Sequence, residues 1–180
     1  ADTVRTLSAA AVPASIEAAL VSRLDALIDA RRTLQVASLL GREFEIDQLQ
    51  AICDEADART ADAVDRALSL GLVRRVGKVR YEFKHALIRD AAAESLPRRD
   101  RAAIHARIAR VLIDRFASLT EQRPELVAEH LSMAGDAQTA IEYWLRAGVL
   151  ALRRSANREA TNHLERARTL VVGLSPCELR

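Results

Sequence analysis

Apolar residues recur along this chain in two rhythms. Over most of its length they are spaced by three and four, the period of one helical face. Val12-Pro13-Ala14-Ser15 opens the first such stretch, with proline favoured near a helix start, and Ile16, Leu20, Leu24, Leu27 and Ile28 follow as its stripe. A second helix is predicted over Arg31–Leu40, stopping at Gly41, a C-terminal cap. Arg42-Glu43-Phe44-Glu45 reads as a connection to a short helix marked by Ile46, Leu49 and Ile52. An acidic link, Asp54-Glu55-Ala56-Asp57, leads to Thr60, the expected N-cap of a helix whose inner face is Val64, Ala67 and Leu68 and which ends at Gly71.

Near the middle the rhythm changes to two. Leu72 to Arg75 and Val79 to Phe83 read as strands joined at Val76-Gly77-Lys78, with Tyr81 and Phe83 alternating with Arg80, Glu82 and Lys84. From Leu87 the helical spacing returns at Leu87, Ile88, Ala91, Ala92 and Leu96, giving a helix over Lys84–Leu96 that Pro97 interrupts. Pro97–Phe116 is a longer helix with Ile104, Ile108, Val111 and Leu112 on one face, and Ser118–Arg123 is read as a polar loop. Glu125–Ala134 closes at Gly135, and Asp136 caps a helix carrying Ile141, Trp144, Leu145, Gly148 and Leu152. Ser155-Ala156-Asn157 forms a tight turn before a last helix with Ala160, Leu164, Ala167 and Val171.

The expected fold class is mainly α with one β-hairpin. Three helices followed by a hairpin is the order of a winged helix-turn-helix, assigned to residues 1–96. Residues 97–180 read as an antiparallel helical unit. Its last helix pair resembles the 34-residue tetratricopeptide repeat. Trp144 and Gly148 stand at that motif's Trp and Gly, and Ala160, Leu164 and Ala167 at its small, large and small positions. Ala147, Ala151 and Val172 depart from its Leu, Tyr and Pro. A single repeat cannot bury both faces, so it is expected to stack on residues 97–134 or on further repeats.

Composition narrows the picture. The chain is 49% hydrophobic but only 3% aromatic, which suits a helical core of Leu, Ala, Ile and Val. Residues 1–96 carry 13 basic and 15 acidic side chains, and residues 97–180 carry 14 and 10. Neither half has the charge of a dedicated nucleic-acid binder. Cys53 and Cys177 suggest neither a disulfide framework nor a zinc site. No apolar run approaches ~20 residues and no signal peptide is visible, so no membrane partner is expected and the cytoplasm is the expected compartment. A start at Ala1 and a stop in Ser175-Pro176-Cys177-Glu178-Leu179-Arg180, just after a helical pattern, suggest a segment of a longer protein.

Candidate chemistry is sparse. Gly71 to Val79 superficially resembles a phosphate loop, but the spacing is one residue too long, Val79 stands where Ser or Thr must bind magnesium, and no helix follows. Arg74, Arg75, Lys78 and Arg80 could form a wing on DNA phosphates or a solvated hairpin. The would-be recognition helix Thr60–Leu70 offers Asp62, Asp65 and a single Arg66, which argues against DNA as a partner. His105, His130 and His163 read as ordinary helix residues, none beside a second His or Cys at metal spacing. No catalytic residue, metal ligand or cofactor site is assigned within the chain. His85 differs because it stands where a strand hands over to a helix, either as a packing residue or as a functional one.

Val12 to Ala18, Ser22-Arg23-Leu24-Asp25, Leu40-Gly41-Arg42-Glu43-Phe44 and above all Tyr81-Glu82-Phe83-Lys84-His85-Ala86-Leu87-Ile88-Arg89-Asp90 resemble the segment after the ATPase core of bacterial STAND proteins. These are multidomain signalling ATPases found behind adenylate/guanylate cyclase domains or ahead of LuxR-type DNA-binding domains. Ile141 to Gly148 and Ser155 to Ala160 are similar to the first tetratricopeptide helices of the same proteins. The resemblance covers roughly Val12 to Leu174. In the related NB-ARC ATPases a Met-His-Asp motif sits at this junction, and its His approaches the phosphates of ADP in the closed state. His85 falls on that His, while Lys84 and Ala86 replace the flanking Met and Asp. The resemblance implies a nucleotide pocket in an upstream core, with ATP or ADP as the parent's cofactor. It implies that core and proteins bound through the repeat helices as partners, and His85 as a phosphate sensor in the parent. The competing readings are a DNA-binding regulator with a helical dimerisation tail and a simple peptide-binding repeat adaptor. The second is disfavoured because the first half lacks repeat character.

Overall fold

In the computed structural model, residues 30–53 and 57–174 are described. The predicted first helix over Ile16–Ile28, the Asp54–Ala56 link and Cys177 lie outside the described residues. Nine helices and three strands are described: α1 Arg31–Leu40, β1 Glu43–Glu45, α2 Ile46–Cys53, α3 Asp57–Ser69, β2 Val73–Arg75, β3 Arg80–Phe83, α4 Ala86–Glu94, α5 Arg98–Arg115, α6 Ala117–Gln122, α7 Pro124–Ala134, α8 Ala137–Arg153 and α9 Asn157–Gly173. The protein is thus mainly helical, with one small antiparallel sheet.

That sheet has three strands in the order β1-β3-β2, so the hairpin expected from the alternating residues is widened by a strand. Glu43-Phe44-Glu45, expected as a connection, pairs with β3, Phe44 standing opposite Tyr81. A three-residue strand is too short for its alternation to register as a pattern. Its pairing is stabilised by the aromatic cluster beneath it. The Phe44 ring lies 5.9 Å from that of Tyr81 and 5.7 Å from that of Phe83. Gly41 permits the turn into β1 at φ 137°. The hairpin β2-β3 keeps the expected strands, with Arg74 opposite Glu82 and Arg75 opposite Tyr81.

Two other expectations are corrected. Thr60 is no N-cap: helix α3 begins at Asp57, and Thr60 is fully buried within it, its hydroxyl without a hydrogen-bond partner. Ser118–Arg123 is no loop: Ala117–Gln122 forms the short helix α6, held by Thr120 Oγ1 donating to the Leu112 carbonyl at 2.9 Å. None of its residues is buried, so no apolar stripe announced it.

The predicted ends of the later helices hold for local reasons. Gly135 adopts φ 86°, and the Asp136 amide returns to the Leu131 carbonyl at 3.0 Å. The Asp136 carboxylate then accepts from the Thr139 amide at 3.1 Å and opens α8. Ser155 takes a positive φ of 59° at the turn into α9.

Among the described residues, the buried apolar side chains other than Ala151 and Ala160 form one connected core. Leu34, Leu49, Ile52, Leu72, Phe83 and Ile88 fill the sheet-bearing half. Ile108, Val127, Ala128, Tyr143 and Trp144 fill the helical stack. Helix α5 joins them: it packs on α1 and α2 on one side and on α7 on the other. From there α7 packs on α8 and α8 on α9, each an antiparallel neighbour through a short turn.

Candidate functional site

Four places carry polar groups or exposed apolar surface that packing alone does not require. The first is the β3–α4 junction. Lys84 donates its amide to the Leu72 carbonyl at 3.0 Å, which anchors the strand end. His85 follows in an extended conformation, φ −134° and ψ 138°, as the N-cap of α4. Its carbonyl accepts from the Ile88 amide, while its exposed imidazole makes no capping hydrogen bond. His85 thus stands at the N-terminus of α4, where unpaired N–H groups and the helix dipole favour an anion.

The second is the outer face of the sheet. Glu82 is 5% exposed and lies opposite Glu43, a repulsive cross-strand pair. Two guanidiniums offset this: Arg74 Nη2 at 2.6 Å and Arg42 Nη2 at 2.7 Å. The hydrogen bond from Arg74, together with the charges of Arg74 and Arg42, holds the Glu82 carboxyl below the usual carboxylate range despite its desolvation. Arg80 bridges Glu43 at 3.7 Å and Glu45 at 4.0 Å. Arg75 turns to the other face, donating to the Tyr81 hydroxyl at 2.7 Å. Of the four expected wing cations, Arg74, Arg75 and Arg80 are therefore engaged within the sheet. Helix α3 exposes Asp62 and Asp65 beside Arg66.

The third is helix α8. Its inner side is buried: Trp144, 3% exposed, donates from Nε1 to Ser132 Oγ at 3.0 Å. The indole stacks on His163 at 5.4 Å and lies under Arg166 at 4.8 Å. The opposite side is bare. Leu145, Val149 and Leu152 are 47%, 48% and 51% exposed at helical spacing. Leu145 and Val149 line a groove of about 460 Å³ that Thr120, Pro124 and Tyr143 also line, with Arg146 and Arg153 at its edge.

The fourth was not legible in the sequence. His105 on α5 and His130 on α7 bring their Nδ1 atoms to 2.8 Å. They are not the independent helix residues expected. Burial, followed by the charge of Arg101, lowers the pKa of His105 against an opposing pull from Glu129. Burial, followed by His105, lowers that of His130 to about 4. The residues lie 25 apart with no shared motif, so only docking of α5 on α7 brings them together. His163 stays apart from both, stacked on Trp144 with Nδ1 buried and unpaired. Among the described residues no group of three or more His, Cys, Asp or Glu side chains is placed to hold a metal ion. No described helix is long and apolar enough to cross a membrane.

No family model and no solved structure matches the chain. It is 30% identical over 180 aligned positions to an uncharacterized protein of Rhizobium meliloti (strain 1021). The match covers 92% of this chain and 17% of that protein, so the chain spans about a sixth of the relative's length.

Proposed function

We propose that the chain is a non-catalytic regulatory and scaffolding segment of a STAND-type signalling ATPase acting in the cytoplasm. In this reading residues up to 96 form a winged helix that transmits nucleotide state. The helices beyond form a tetratricopeptide-like stack that meets protein partners. The observation that carries it is the order α1-β1-α2-α3-β2-β3 with the first strand seated beside the last in the sheet. This supports a winged-helix unit, and His85 stands at its exit. The bare stripe Leu145–Val149–Leu152 supports a protein-facing surface on the stack. Buried Ala160 and Ala167 support the repeat assignment, since small residues let helices approach closely.

His85 fits a nucleotide-facing role in the parent protein. It is exposed, its imidazole is not engaged in capping, and the α4 amides lie beside it. A bound ADP, held by the upstream core, supplies the anionic charge. The part of His85 is to donate a hydrogen bond to a phosphate oxygen and so favour the closed state. A hydrogen bond to a charged group is worth about 1.5–3 kcal/mol, or roughly tenfold to a hundredfold in an equilibrium. The test uses the full-length parent. His85→Ala should speed ADP release and raise basal output by that factor, while the isolated chain binds neither Mg-ATP nor ADP in calorimetry at millimolar concentration. Wild-type ADP release in the variant, or micromolar nucleotide binding by the isolated chain, would overturn the reading. The competing DNA-binding function calls for a mobility shift at low salt. We expect none, given the exposed acids of α3 and the engagement of Arg74 by Glu82.

A further inference from the structure

His105 and His130 have no part in that reading, yet their arrangement is specific. The Nδ1 atoms lie 2.8 Å apart and the ring centroids 5.1 Å apart, with His130 buried and His105 partly so. A contact this short requires one Nδ1–H and one bare Nδ1, so one ring donates and the other, neutral, accepts; burial of both rings favours a neutral donor as well. An added proton has two places to go. On the bare Nδ1 it sets two N–H groups against each other and breaks the bond. On the donor ring's Nε2 it leaves the bond but creates a cation in a desolvated site beside Arg101.

We propose that the His105–His130 pair is an acid-sensitive clasp, in which proton uptake from solvent releases α7, with the α8–α9 pair, from α5. The placement suits this role, since α5 bridges the sheet-bearing half and α7 carries the rest of the stack. Surrounding charges do little to favour the protonated form. On α5, Arg101 opposes it. On α7, Glu129 favours it at His105 but is shared with Arg166 of α9 at 3.4 Å. Toward the sheet, His130 lines a cavity of about 390 Å³ with Arg42, Glu43, Glu45, Arg80 and Arg123. There Arg42 holds Glu82, Arg80 holds Glu43 and Glu45, and Arg123 holds Glu125. Among the described residues, no carboxylate lining that cavity lacks a cation.

The direction in pH follows from linkage. Both rings take up protons less readily in the folded chain than in the unfolded one, where His titrates near 6.5. The folded state therefore binds fewer protons below about pH 6.5. Its stability is intact above that pH and falls as pH drops toward about 4, the value of His130. From pH 7.5 to 5.0, His130 alone should lower the folded-to-unfolded ratio by about 30-fold.

Trp144, the single tryptophan, reports the α7–α8–α9 stack. Urea unfolding of the 180-residue chain followed by Trp144 fluorescence should show a loss of at least about 30-fold between pH 7.5 and 5.0. The double variant His105→Gln/His130→Gln should lose most of this dependence, whereas His163→Gln should keep it. In parallel, NMR titration of the wild-type imidazoles should find the His130 ring neutral at pH 5.5 under native conditions, and His105 titrating below 6.5. An equal pH dependence in the double variant would overturn the proposal. So would titration of both rings near pH 6.5 in the folded protein, a result available even if the variant fails to fold.

Discussion

A Cβ built on Gly148 would lie 2.8 Å from Leu164 Cδ2 and 2.9 Å from Leu164 Cγ. Helices α8 and α9 thus approach so closely at Gly148 that any Cβ there would force Leu164 to shift. Gly148→Ala forces Leu164 aside, an overpacking cost of about 1–3 kcal/mol, against a helix-propensity gain of about 1 kcal/mol. In wild type the net effect should be destabilising by up to about 2 kcal/mol. In a Leu164→Ala background the same substitution should stabilise by about 1 kcal/mol, since the obstruction is gone. Denaturant unfolding of the four proteins in this cycle checks the sign change. An equal effect in both backgrounds would separate Gly148 from Leu164.

Trp144, one turn before Gly148, is buried and donates to Ser132 on α7. Trp144→Ala should cost about 3–5 kcal/mol, the range for deleting a large buried aromatic. The wild-type emission should be blue-shifted and move to the red on unfolding. A melting temperature unaltered in the variant, or native emission like that of free indole, would place the ring at the surface.

Glu82 gives a second and separate pH dependence. Its pKa is lowered in the fold by Arg74 and Arg42, so the folded state holds its proton less tightly than the unfolded chain. Its contribution is present above the ordinary value of 4.5 and is lost as pH falls through the lowered folded value. Glu82→Gln should lower the denaturation midpoint at pH 7 by leaving Arg42 and Arg74 without their shared carboxylate. The gap from wild type should close in strong acid. A gap that persists unchanged at pH 2.5 would show that shape, and not charge, is what Glu82 supplies.

Leu145 and Val149 are half exposed and line the open groove on α8. Leu145→Ser/Val149→Ser should alter stability by under about 1 kcal/mol, as surface substitutions do. Under the proposed function, the same pair placed in the whole signalling ATPase should weaken regulated output if this face meets a partner. Normal output in that variant would move the interaction surface elsewhere on the stack.

What the sequence determined by itself is what neighbouring residues decide. The stripe Leu87, Ile88, Ala91, Ala92 predicts α4 because side chains three and four apart share a helical face. Gly135 and Asp136 mark one helix end and the next start through bonds reaching only three to five residues. The alternation at Tyr81 and Phe83 is local in the same sense, and so is the turn at Ser155. His85 was singled out by its position at a change of period, and it stands there as the N-cap of α4.

Only the tertiary structure decided the rest. Strand β1 forms because Phe44 finds Tyr81 and Phe83 across nearly 40 residues of chain, a pairing its three residues cannot signal. Thr60 looked like a cap because threonine favours one, yet burial against the α3 core overrode that preference. Helix α6 has no buried face to write a stripe. His105 and His130 are ordinary in sequence because histidine has no strong local preference. Docking of α5 on α7 turns them into a buried pair whose proton balance neither residue has alone. Contacts between distant segments leave no period in the chain, so their chemistry is visible only once the helices have packed.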